Sequence, residues 1–199
     1  MSDPLETPEP RDQNRAVAWL LGRPGLVVAL LWGLAEGSFF FLIPDIVLSL
    51  TALFSVKRSL LQMGLVVAGS LIAGSCLFAW SLSDYAAAKA AVLKVPFVRE
   101  KMFDETSREF QRDGVGALFE GPTRGVPYKV YAVQAPAYCG LPAFLLASIP
   151  ARLERLLISW IVFVCVGLGF DKFKARPRTR FLFHGAYWIA VYSYYWTVI

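Results

Sequence analysis

The run 59–83, SLLQMGLVVAGSLIAGSCLFAWSLS, contains no charged residue. As a helix it is long enough to cross the roughly 30 Å hydrocarbon core of a bilayer. The chain around it is 56% apolar and 15% aromatic, with only 18% charge over 199 residues, which is too apolar for a water-soluble domain of that length. Lipid offers no partner to an open backbone, so the spanning segments of such a chain are helices. The sequence reads as an all-α integral membrane protein.

The formal charge of +5 would suggest nucleic acid in a soluble protein. Here Arg11, Arg15, Arg23, Lys57, Arg58 and the basic residues of 171–180 flank apolar segments, so membrane topology accounts for them and no nucleic acid is expected. Placed on one side, they put the N-terminus in the cytoplasm of a multi-pass cytoplasmic-membrane protein. Residues 1–15 are acidic and proline-rich, lack the features of a cleaved signal, and read as a disordered tail. The remainder, 16–199, reads as a single membrane domain.

Two apolar segments are broken. In the first, residues 25–55, Gly33, Glu36, Gly37, Pro44 and Asp45 interrupt the run. In the second, residues 114–139, glycine, Arg124, Pro127 and Lys129 do the same. Broken backbone survives in lipid only where protein or a wet cavity shields it, so each segment is expected to form a re-entrant hairpin with a break at Pro44 or Pro127. Between them lie the span 59–83 and an amphipathic surface segment, 84–113, with Val98, Met102, Phe103 and Phe110 as its apolar side. The stretch 141–170 contains Arg152, Glu154 and Arg155 and is open to one long helix or two short ones. One crossing keeps the 171–180 loop on the cytoplasmic side and is preferred. The segment 181–199 is expected to be a last span. Two opposed hairpins, each followed by a crossing helix, make an inverted repeat.

An ionisable group at bilayer depth costs several kcal/mol, about 2.5–3.5 on insertion scales, and usually has a role. Glu36 and Asp45 are candidates for proton exchange. Arg124, Lys129, Arg152 and Arg155 are candidates for holding an anion, since guanidinium forks suit phosphate. Ser148, Arg152, Arg155 and Ser159 share a helix face that cannot look at lipid tails. The opposing reading is that these charges are static ion pairs, and that Asp45 merely caps the helix beginning at Ile46. His184, the single histidine, has no partner at ligand or dyad spacing and reads as an interfacial residue; Tyr187 and Trp188 read as interface anchors. Cys76, Cys139 and Cys165 lack metal-ligand spacing and read as small buried hydrophobes. No metal, cofactor or nucleotide-binding pattern is expected, and the chain reads as transporter-like and not as an enzyme.

The segment Ala35-Glu-Gly-Ser-Phe-Phe-Phe-Leu-Ile-Pro-Asp45 resembles the E-S/G-S-F-F-x-x-x-P-D pattern of the DedA family, whose members carry the SNARE-associated or VTT domain, and in particular its YqaA-like branch. Gly121-Pro-Thr-Arg-Gly-Val-Pro-Tyr-Lys-Val-Tyr131 is similar to the family's second hairpin. Phe144-Leu-Leu-Ala-Ser-Ile-Pro-Ala-Arg-Leu-Glu-Arg155 is similar to its following helix. The resemblance covers about residues 25–170. It implies facing re-entrant hairpins and a lipid translocase or scramblase, moving phospholipid or polyprenyl-phosphate carriers with proton coupling in some members. It also implies Glu36 and Asp45 as the acidic pair, with Lys129, Arg152 and Arg155 as basic partners. Ala135-Pro136 departs from the family's Ala-Gly, and Pro142 and Pro150 add breaks. The expected partners are lipids with an anionic phosphate head group and protons, with room for a homodimer. A proton-coupled carrier of small ions or drugs and a non-transporting partner of envelope machinery are the alternatives.

Overall fold

The computed structural model describes residues 10–198, all helix and connecting turn. Nine residues of the expected tail, 1–9, lie outside the described residues. The rest of it, 10–15, is helical, because the polar start of α1 (Pro10–Leu21) continues into the apolar stretch 16–21 without a breaker. At Gly22 the chain bends by 57° into α2 (Arg23–Ser38), where Pro24 sits in the first turn and loses nothing by lacking an N–H.

The first broken segment is α2, an irregular stretch 39–44, and α3 (Asp45–Ala52). Gly33 and Gly37 do not break it. Both lie within continuous α2, where the missing Cβ lets this helix press onto α4 (Val56–Ser83). A side chain at Gly33 would strike the Val66 carbonyl, and one at Gly69 the Leu30 carbonyl. This is the small-residue packing that membrane helices use where lipid removes a hydrophobic driving force, and it is the most extensive contact in the fold. At roughly 42 Å, α4 exceeds the hydrocarbon thickness.

The segment 84–113 forms two helices, α5 (Tyr85–Val92) and α6 (Glu100–Asp113). Its apolar side does not face a membrane surface. Val98, Phe103 and Phe110 are buried in the main core with Met102 against it, because the short α8 (Tyr128–Gln134) needs cover on this flank. Before α8 come a 3-10 turn (Gly114–Phe119), the single-turn α7 (Gly121–Arg124) and a break at 125–127. Gly125 takes φ +71°, the left-handed conformation that glycine adopts without steric cost.

The stretch left open as one helix or two is one: α9 (Leu141–Lys172) runs through Pro150 and past Arg152 and Arg155. The last helix is α10 (Pro177–Val198). Among the described residues, α4 and α9 are long and apolar enough to cross a membrane, and the bent pair from Arg15 to Ser38 is a third candidate. The expected span at 181–199 is not among them, since His184, the tyrosines, Ser193 and Thr197 dilute its apolar character. The chain is thus consistent with a membrane protein. Cys76 and Cys165 are exposed on α4 and α9, not buried as expected.

Candidate functional site

The break at 39–44 owes its stability to side chains that replace its missing helical hydrogen bonds. Trp32 Nε1 donates to the Leu42 carbonyl at 3.2 Å, Ile43 N donates to the Tyr192 hydroxyl at 3.4 Å, and Lys129 Nζ donates to the Phe40 carbonyl at 2.9 Å. Buried backbone groups outside regular structure need such partners. One of them brings the second broken segment to the first: Pro127 ends the break before α8, and Lys129 on its first turn reaches across. Pro44 likewise directly precedes α3.

Around this crossing lie Glu36 (4% exposed), Asp45 (4%), Lys129 (2%) and Arg152 (7%). Arg152 makes a two-pronged ion pair with Glu36: Nη2 meets Oε2, and Nη1 lies 3.4 Å from Oε1. Arg152 Nη2 also donates to Ser70 Oγ at 2.9 Å, and Ser70 Oγ donates to the Gly33 carbonyl at 3.2 Å, tying α9, α4 and α2 together. The guanidinium stands 5.0 Å from the centre of the Tyr128 ring, and the Tyr128 hydroxyl donates to Ser148 Oγ at 3.0 Å. Arg152 Nε is buried without an acceptor among the described residues. One turn on, Arg155 Nη2 pairs with Asp45 Oδ2 at 3.0 Å, its side chain 28% exposed. Ser70 is midway along α4, and the arginines are near the middle of α9, so the pairs sit at mid-length of both candidate spans.

Five of the six expected charged residues therefore meet. Three cations, Lys129, Arg152 and Arg155, face two carboxylates, and Glu36 feels all three. A cavity of about 220 Å³ opens beside them, with Glu36, Lys129 and Arg155 at its polar end and Phe41, Pro96 and Phe97 among its apolar walls. A void of about 20 Å³ borders Arg152 and Arg155, and a larger groove of about 490 Å³ runs past Asp45 and Arg155 toward Trp188.

Arg124 is not part of this group. Half-exposed, at 51%, it pairs with Glu120 at 2.9 Å and with buried Glu109 at 3.4 Å, because the single turn of α7 points it at α6. Glu120 also holds Arg112, and Arg112 keeps the exposed Asp113 carboxyl below its usual range by a direct hydrogen bond. Two further residues escape the sequence reading. His184 is buried, its Nε2 2.9 Å from Ser49 Oγ and 3.0 Å from the Ile46 carbonyl, while buried Trp188 donates to the same Ser49 at 3.0 Å. Arg180, placed by sequence in the cytoplasmic basic loop, is buried too: it donates to the Leu53 carbonyl at the end of α3 and pairs with Asp171, each at 2.5 Å. A cation there satisfies an orphan helix-end carbonyl. Charge and hydropathy alone carry no signal for either role.

No family of known proteins, no curated protein and no solved structure matches this chain.

Proposed function

We propose that the chain is a DedA-like lipid translocase or scramblase of the cytoplasmic membrane, with its N-terminus cytoplasmic and its two broken segments entering as opposed re-entrant hairpins. An anionic phosphate head group docks in the cavity against Lys129 and Arg155, with Arg152 behind them. The observation that carries this reading is the lining of that cavity, where Lys129 and Arg155 outnumber the single carboxylate of Glu36 beside a shielded backbone break. A site with one cation to spare, away from bulk water, favours a guest carrying negative charge. Protonation of Glu36 would free Arg152 for the guest, and loss of that proton would restore the Glu36–Arg152 pair and expel the guest, which couples the cycle to one proton. The inverted-repeat arrangement draws support from packing: α3, after the first break, lies on α9, and α8, after the second break, lies on α4.

The test is leaflet-to-leaflet movement of a phosphate-bearing lipid in reconstituted vesicles. Lys129→Ala and Glu36→Gln each remove a charge-assisted contact and are expected to slow movement about tenfold or more. Wild-type rates in both variants sink the mechanism. A second reading, static charge locks in a non-transporting protein, is favoured by the mutual satisfaction of the Glu36–Arg152 pair. Under it, the exchange Glu36→Arg with Arg152→Glu restores full function; under the translocase it does not.

A further inference from the structure

Residues 84–113 have the pattern of a surface segment, yet 95–97 wall the cavity. Phe97 takes φ +69°. A bulky residue in the left-handed region is strained, and such strain persists where surrounding structure holds it, often at ligand clamps. The strained backbone aims the Phe97 ring at Phe41, with ring centres 5.9 Å apart and planes tilted by 56°. Phe41 belongs to the break whose Phe40 carbonyl receives Lys129, and Phe40 continues the aromatic row to Trp32. One backbone irregularity thus fixes the cation at the polar end, and another fixes the aromatic pair on the apolar wall. Both residues stay more than a third exposed.

We propose that Phe41 and Phe97 form a specificity clamp for the hydrocarbon next to the charged group, so that the cavity selects an anion attached to an alkyl chain over a free anion. The proposal rests on the anion site described above and adds to it the side chains that read the chain: an alkyl phosphate sits with its phosphate on Lys129 and Arg155 and its first methylenes between the two rings. Aromatic faces suit this, since they bury methylene area without a polar partner. A carrier of small inorganic ions would have no use for them.

The experiment compares binding of hexyl phosphate and inorganic phosphate to the full chain in nanodiscs of neutral lipid. Wild-type protein is expected to bind hexyl phosphate at least tenfold more tightly. Phe97→Asn removes the ring while keeping a residue that tolerates the left-handed backbone. It should lower hexyl phosphate affinity about tenfold, equivalent to losing contact with one or two methylenes, and leave inorganic phosphate unchanged. Phe41→Ala, outside any strained position, should do the same. Lys129→Ala should weaken both ligands. If inorganic phosphate binds and the alkyl chain adds nothing, or the Phe variants weaken both ligands equally, the clamp is wrong while the anion site stands. If neither ligand binds wild-type protein, the anion site fails and the clamp with it.

Discussion

Arg152 touches Glu36, Ser70 and the face of Tyr128 at once, so its removal has two separable consequences. Leaving Glu36 buried without its cation costs about 3–5 kcal/mol, whereas replacing both members of such a pair by apolar residues is often neutral or stabilising. Arg152→Met alone is therefore expected to lower the unfolding transition of the purified protein markedly. Glu36→Leu combined with Arg152→Met should recover most of that stability, as thermal unfolding in detergent would report, yet stay inactive in the vesicle assay. A double variant as unstable as the single would show that the pair's partners, not its charges, hold the site. The identity of these residues is legible in sequence because a charge within an apolar run has few bland explanations. The pairing is not: which carboxylate meets which guanidinium depends on helix rotation and on the 39–44 break. Arg124 and Arg152 look alike in sequence, and only the short reach of α7 sends the first to Glu109 and Glu120.

Elements are held by close approach as much as by charge. Gly33 and Gly69 face one another across α2 and α4 so closely that a methyl group on either meets backbone. Gly33→Ala is expected to destabilise by about 1–3 kcal/mol through overpacking. Gly64→Ala, on the exposed side of α4 with nothing within 4 Å of the added carbon, should be neutral or stabilise by about 0.5–1 kcal/mol. Paired thermal melts test this, and equal effects at the two sites would discount the packing argument. The span at 59–83 and the continuity of α9 follow from hydropathy. The role of α6 does not, since an amphipathic helix covering a protein neighbour has the same pattern as one lying on lipid. Nor does hydropathy reveal that the His184 and Trp188 side chains reach Ser49, a contact between residues about 135 positions apart.

Across the whole molecule, each broken segment contributes what the other lacks. The first supplies two carboxylates and an open carbonyl; the second supplies a lysine on a short helix; α9, lying against both α3 and α4, carries the two arginines to mid-length. Hydropathy and punctuation make the two breaks visible in the sequence, but their meeting depends on α3 crossing to α9 and α8 crossing to α4, contacts that no local pattern encodes. In the proposed mechanism the cavity between the breaks holds an anionic lipid head group. An experimental density map of the protein in nanodiscs containing phosphatidylglycerol addresses it directly. Phosphate density is expected within hydrogen-bond distance of Lys129 Nζ and the Arg155 guanidinium, with its chain leaving past Phe41 and Phe97. Lipid density confined to the outer faces of α4 and α9, with only side chains and solvent between the breaks, would contradict it.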